Sequence, residues 1–167
     1  RVRPAGSTEL VAFFPTTRET HLGFLLQAPF VLNTSRESLH SSSTVNRQLV
    51  ERSATLLIDS LERLRDADLL DAVSLEVLPL TEQHFALGTL LRPLYYETWL
   101  ALRDKPFLPA HEGGWAAGHN LRATRSQSLR DLVDPEQLAE LLHAQESLGW
   151  ISGAVTKEAT PTLYRYL

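Results

Sequence analysis

Leu32-Asn33-Thr34-Ser35-Arg36-Glu37-Ser38-Leu39 is the stretch on which the reading of this chain turns. On its N-terminal side, His21 to Leu32 is an extended run in which Phe24, Leu25 and Leu26 are too continuously apolar for a solvent-facing strand. That pattern predicts a strand covered on both faces, with Gln27 a buried, satisfied amide. On its C-terminal side, His40-Ser41-Ser42-Ser43-Thr44 is a loop by composition. Beyond it Val45, Leu49, Leu56, Leu57, Leu61 and Leu64 recur at three- and four-residue steps, which predicts a long amphipathic helix from about Val45 to Arg65. The octet therefore joins a strand end to a helix start, where side chains sit on a fixed frame and backbone N–H groups are free to meet an anion. Arg36 is its one guanidinium: always charged, and rich in donors for phosphate oxygens.

The rest of the chain supplies a scaffold of mixed elements. Upstream, Glu9 to Phe14 reads as a strand closed by Pro15, with Thr16 to Thr20 as a polar turn and His21 to Leu32 as its antiparallel partner. Downstream, Leu75 to Leu78 is a short strand, Thr81 caps a short helix, and Pro93 kinks one helix or opens the next, Leu94 to Arg103. Pro106 to Pro109 and Trp115 to Thr124 flank Glu112-Gly113-Gly114, a β-hairpin with a glycine turn. Asp134-Pro135 starts a further helix, with Asp at the cap and Pro in the first turn. The expectation is an α/β fold, a mixed sheet with packed helices, organised as an α/β unit over 1–125 and a helical extension over 126–167.

Bulk properties exclude several classes of function. The 167 residues hold 16 Lys and Arg against 20 Asp and Glu, a net charge of −4, with no basic run. Nucleic-acid binding relies on clustered positive charge, so no nucleic-acid partner is expected. With no Cys there is neither a disulfide nor a thiolate metal site. No apolar stretch is long enough to span a bilayer, and no signal peptide is evident; a cytoplasmic setting is expected, with no membrane partner. The absence of Met points to a piece of a longer protein. Six His residues lack metal-ligand spacing, and the serine run lacks a nucleophile elbow. Tyr95, Tyr96 and Trp99 recur along one helix and are expected to pack rather than bind.

The octet resembles the catalytic loop in the middle domain of heat shock protein 90, where the pattern Leu-Asn-x-Ser-Arg-Glu-x-Leu also follows a strand and precedes a long helix. A second resemblance, to the segment after the ATP-binding domain of sacsin-like proteins, rests on Phe13-Phe14-Pro15-Thr16, Glu19-Thr20-His21-Leu22, Ala28-Pro29-Phe30 and Arg36. It covers roughly Glu9 to Trp115. It implies a fold like the heat shock protein 90 middle domain and a catalytic role for Arg36 at the γ-phosphate of ATP. Asn33, Ser35 and His40 would support the loop, His40 standing where the family often has glutamine. ATP and Mg²⁺ would be held mainly by a preceding nucleotide-binding domain of the GHKL class. The signatures of that pocket are absent from this sequence, so the segment alone is expected neither to bind nucleotide tightly nor to hydrolyse it. Chaperone-like work on an unidentified client would follow from such a partnership. The rival expectation is a non-catalytic scaffold for protein interaction.

Overall fold

A computed structural model describes residues 8–33, 39–40 and 43–167. The chain divides into two compact units, residues 1–99 and 100–167. The architecture is mixed α/β, and the strands described form three separate two-stranded sheets instead of one sheet backed by helices.

In the first unit, strand β1 (Glu9–Val11) pairs antiparallel with β2 (Pro15–Glu19). The hairpin partner is thus the polar stretch expected to be a turn. Threonine explains this: its β-branched side chain suits extended backbone. Thr16 and Thr20 are both buried and satisfied, Thr16 Oγ1 donating to the Leu10 carbonyl (2.8 Å) and Thr20 Oγ1 to that of Thr8 (2.8 Å). Phe13 and Phe14, expected inside a strand, lie in the turn and are exposed.

Residues 21–32 correct a second expectation. They do not form a strand covered on both faces: only isolated bridges, Val11 to Gln27 and Leu32 to Leu39, interrupt an irregular path. His21 has φ 54°, a left-handed conformation that breaks extended pairing at the outset. Leu22, Leu26 and Phe30 are buried at four-residue intervals, whereas Leu25 and Gln27 are exposed. The segment also packs tightly against the short 3₁₀ turn Ser74–Val77, where the Gly23 N–H donates to the Val77 carbonyl at 2.9 Å. That turn replaces the expected strand at Leu75–Leu78. Asp71 is the local cause: its Oδ1 accepts from both the N–H (2.7 Å) and the hydroxyl (2.6 Å) of Ser74, offering the backbone a turn instead of a ladder.

Helix α1 (Thr44–Asp66) matches the expected helix within one residue at each end, and Ser43 is its N-cap. Its inward face differs. Asn46, Val50, Ala54, Ile58 and Leu61 are buried, while Val45 and Leu56 remain 48% and 66% exposed. Two apolar stripes compete on this helix, and the core selects the one carrying a polar Asn46, whose amide is needed by the neighbouring backbone. The core joins Val50 and Ala54 of α1 with Leu10, Leu22, Leu26, Phe30, Leu39, Phe85 and Leu94. Thr81 precedes a 3₁₀ turn, Glu82–His84, in place of a short α-helix, and its side chain makes no capping bond. Helix α2 (Arg92–Asp104) carries Pro93 in its first turn, where the missing N–H costs nothing. Arg92 secures the 3₁₀ turn to this helix: it donates to Glu82 (3.0 Å) and the Phe85 carbonyl (2.8 Å), and lies 4.7 Å over the Tyr95 ring.

In the second unit, β3 (Leu108–Pro109) and β4 (Trp115–Ala116) form a hairpin where one was expected, but its second arm stops short of Thr124, cut off by a 3₁₀ turn, Gly118–Asn120. Gly113 and Gly114 both have positive φ, 96° and 74°, which L side chains rarely adopt. Strand β5 (Leu121–Arg122) pairs in parallel with β6 (Gly149–Trp150). This pairing joins residues on either side of 126 within the second unit, 100–167. Between those strands lie helices α3 (Gln127–Leu132) and α4 (Pro135–Leu141); α5 (Pro161–Tyr166) ends the chain. Asp134 caps α4 with a full capping box, its side chain taking the Gln137 N–H while Gln137 reaches back. Leu138, Leu148 and Trp150 form a small core, and the Trp150 indole donates to the Val133 carbonyl at 2.7 Å.

Candidate functional site

The octet begins and ends on a clamp built by one buried side chain. Asn46 sits in the first turn of α1 and is fully buried. Its Oδ1 accepts the Val31 N–H at 2.7 Å, and its Nδ2 donates to the carbonyls of Val31 (2.9 Å) and His40 (3.1 Å). One amide thereby reads the backbone just before the octet and just after it. The His40 N–H also donates to the Val31 carbonyl (3.1 Å), and Leu32 pairs with Leu39 in an antiparallel bridge. Leu39 is buried in the core of the first unit.

The helix start completes the arrangement. Ser43 N–H donates to the His40 carbonyl at 3.1 Å, and Ser43 Oγ accepts from the Asn46 N–H at 3.3 Å. The His40 carbonyl, which Asn46 engages on the far side of the octet, is thus shared with the N-cap of α1. The two ends of Leu32–Leu39 are held together, and both are tied to the same helix turn.

Of the residues singled out by sequence, Asn33 and His40 flank this clamp. Asn33 is half-buried and His40 is exposed, with its backbone bonded on both sides. Arg36 and Ser35, with Thr34, Glu37 and Ser38, lie outside the described residues. Sequence reasoning missed Asn46. The available signal was a polar amide three residues past Ser43, on the stripe with Val50, Ala54 and Ile58. The rival stripe of Val45, Leu49 and Leu56 is more apolar and masks that signal.

The remaining candidates are dispersed. His21 stacks on His84 at 4.1 Å between ring centroids, His111 lies 3.3 Å from Asp131, and His119 lies 3.8 Å from both Asp104 and Glu146. Among the described residues no group of three or more His, Asp or Glu could hold a metal ion, and no helix is long and apolar enough to cross a membrane. Tyr95 is buried in the core, and Tyr96 stacks on Trp99 at 6.2 Å. Burial chiefly, and then the charge of Glu82, push the Tyr95 phenol above its ordinary ionisation range, an effect partly offset by Arg92.

Comparison with protein-family models, with curated proteins and with solved structures returned no match.

Proposed function

We propose that this chain is the middle-domain-like part of an ATPase similar to heat shock protein 90 and sacsin. In this reading its first unit resembles the heat shock protein 90 middle domain. Arg36 meets the γ-phosphate of ATP held, with Mg²⁺, by a preceding GHKL-class domain. The observation that carries the reading is the Asn46 clamp: the residues flanking the octet, Val31 and His40, are both bonded to one buried amide at the start of a 23-residue helix. A loop that must present a charge to a neighbouring domain needs a base that does not yield, because a small misplacement of a charged group costs much of its effect on a transition state.

The described groups at the loop base are backbone and amide atoms largely engaged with one another, so they offer no nucleotide pocket of their own. The contribution left to this chain is positive charge from Arg36 against the charge that develops as the phosphoryl group transfers. An arginine so placed commonly accelerates phosphoryl transfer by about 10³-fold or more. The same contact would make the geometry of the two domains depend on nucleotide state, and through it the handling of a client protein, in a cytoplasmic setting. Exposed Phe13 and Phe14 in the β1–β2 turn favour a second reading, a scaffold that docks a protein partner without catalysis.

ATP turnover of the intact protein separates the two. Arg36→Ala should lower turnover by about 10²-fold or more while nucleotide affinity and folding are retained. Unchanged turnover discards the catalytic reading and leaves the scaffold.

A further inference from the structure

The second unit contains a groove of ≈ 700 Å³ whose charge runs against the acidic balance of the chain. Arg125, Arg130, Lys157 and Arg165 all line it, against the single carboxylate of Glu158. They come from three stretches of sequence: the turn into α3 and that helix itself, the loop before α5, and α5. Among the described residues none of the four makes an ion pair. Arg125 and Lys157 are exposed and have no hydrogen-bond partner among the described residues. The nearby carboxylate of Asp131 is already engaged by Gln127 Nε2 (2.8 Å) and by His111 (3.3 Å).

Arg130 is held in place by neutral groups. Nη1 donates to the Thr124 carbonyl (2.6 Å), while Nη2 (2.7 Å) and Nε (3.3 Å) donate to Gln127 Oε1. Each terminal nitrogen keeps a second hydrogen, so the guanidinium is oriented without being neutralised. Uncompensated like charges gathered in one concave site repel one another, and the arrangement costs stability unless an anion offsets it. Gly153 lines the same wall, where an added Cβ would lie 3.3 Å from Gln127 Oε1 and 3.4 Å from Arg130 Nη2. Val155 and Tyr164 give the groove an apolar side.

We infer that this groove binds a small organic molecule bearing more than one phosphate. Its volume falls within the usual range for small-molecule sites. Four cations suit multiple negative charge, and the apolar wall suits an organic moiety. The site belongs to the second unit and does not depend on Arg36 or on the proposed ATPase reading.

The test is titration of the 167-residue chain with ADP and, separately, with pyrophosphate and inorganic phosphate, followed by calorimetry and amide NMR shifts. The expected result is saturable ADP binding with shifts at Thr124, Arg130, Gly153 and Thr156, weaker binding of pyrophosphate and weaker still of phosphate. The double change Arg125→Gln with Lys157→Gln should weaken ADP at least about tenfold, the loss expected for charge-assisted hydrogen bonds. Both side chains are exposed, so folding should be unaffected. Gly153→Leu, which fills the wall without altering charge, should abolish binding, and Arg52→Gln on α1 should leave it unchanged. No saturation at millimolar ADP, shifts elsewhere, an equal loss in Arg52→Gln, or tighter binding of a single-stranded oligonucleotide than of ADP would each overturn the assignment.

Discussion

Replacing Asn46 with alanine probes the base on which the functional reading stands. The change deletes three hydrogen bonds, to the Val31 N–H, the Val31 carbonyl and the His40 carbonyl. At about 1 kcal/mol net for each, the loss is about 3 kcal/mol. The loss is not uniform. The Val31 carbonyl keeps the His40 N–H as a partner, and the His40 carbonyl keeps that of Ser43, so the group left unpaired is the Val31 N–H. Partial access of water near exposed Val31 trims the figure to about 2–3 kcal/mol. Urea unfolding monitored by tryptophan fluorescence measures it. Asn46→Asp sharpens the test: the acceptor for Val31 is kept, but two carbonyl oxygens now face a carboxylate. At neutral pH it should be at least as destabilising as alanine. Such a carboxyl binds its proton more tightly folded than unfolded, so the deficit should shrink as pH falls through that raised range. A loss below about 1 kcal/mol for Asn46→Ala, or an aspartate variant as stable as the parent at neutral pH, would refute the clamp.

Three further outcomes follow from the packing of the first unit. Gly23→Ala would place a Cβ 2.5 Å from the Val77 Cα, backbone against backbone, and strain the Gly23 N–H bond to Val77; a loss of about 3 kcal/mol is expected in urea unfolding, and a near-neutral effect would mean that the two segments are not in contact. Thr98 is fully buried on α2, with no partner for its hydroxyl among the described residues, so Thr98→Val should raise stability by about 1 kcal/mol, and a fall of that size would reveal a hidden partner. Tyr95, raised above its ordinary 10.0 by burial first and Glu82 second, keeps its proton in the native state after the unfolded chain has lost its own. The stabilisation is complete below about pH 10 and disappears as pH rises through the folded-state value; ultraviolet titration should show one tyrosine ionising late, and Tyr95→Phe should remove that late phase.

What was legible in the sequence was local. The extent of α1, the glycine turn between β3 and β4, the Asp134-Pro135 cap and the placing of Pro93 depend on neighbours within a turn or two, where capping, ring geometry and left-handed backbone dominate. The position of the octet between an apolar run and a helix start was legible for the same reason. Tertiary structure alone decided the rest. Which stripe of α1 faces inward depended on the backbone of residues 31 and 40 requiring an amide, and a polar residue gains by burial only when its partners are present. Whether Thr16–Glu19 or residues 21–32 would pair with β1 depended on long-range packing, since threonine serves turn and strand alike. The gathering of Arg125, Arg130, Lys157 and Arg165 around one groove is likewise invisible in a chain whose cations are scattered. Spacing along the sequence states the period of an element; the direction that element faces is set by what lies across from it.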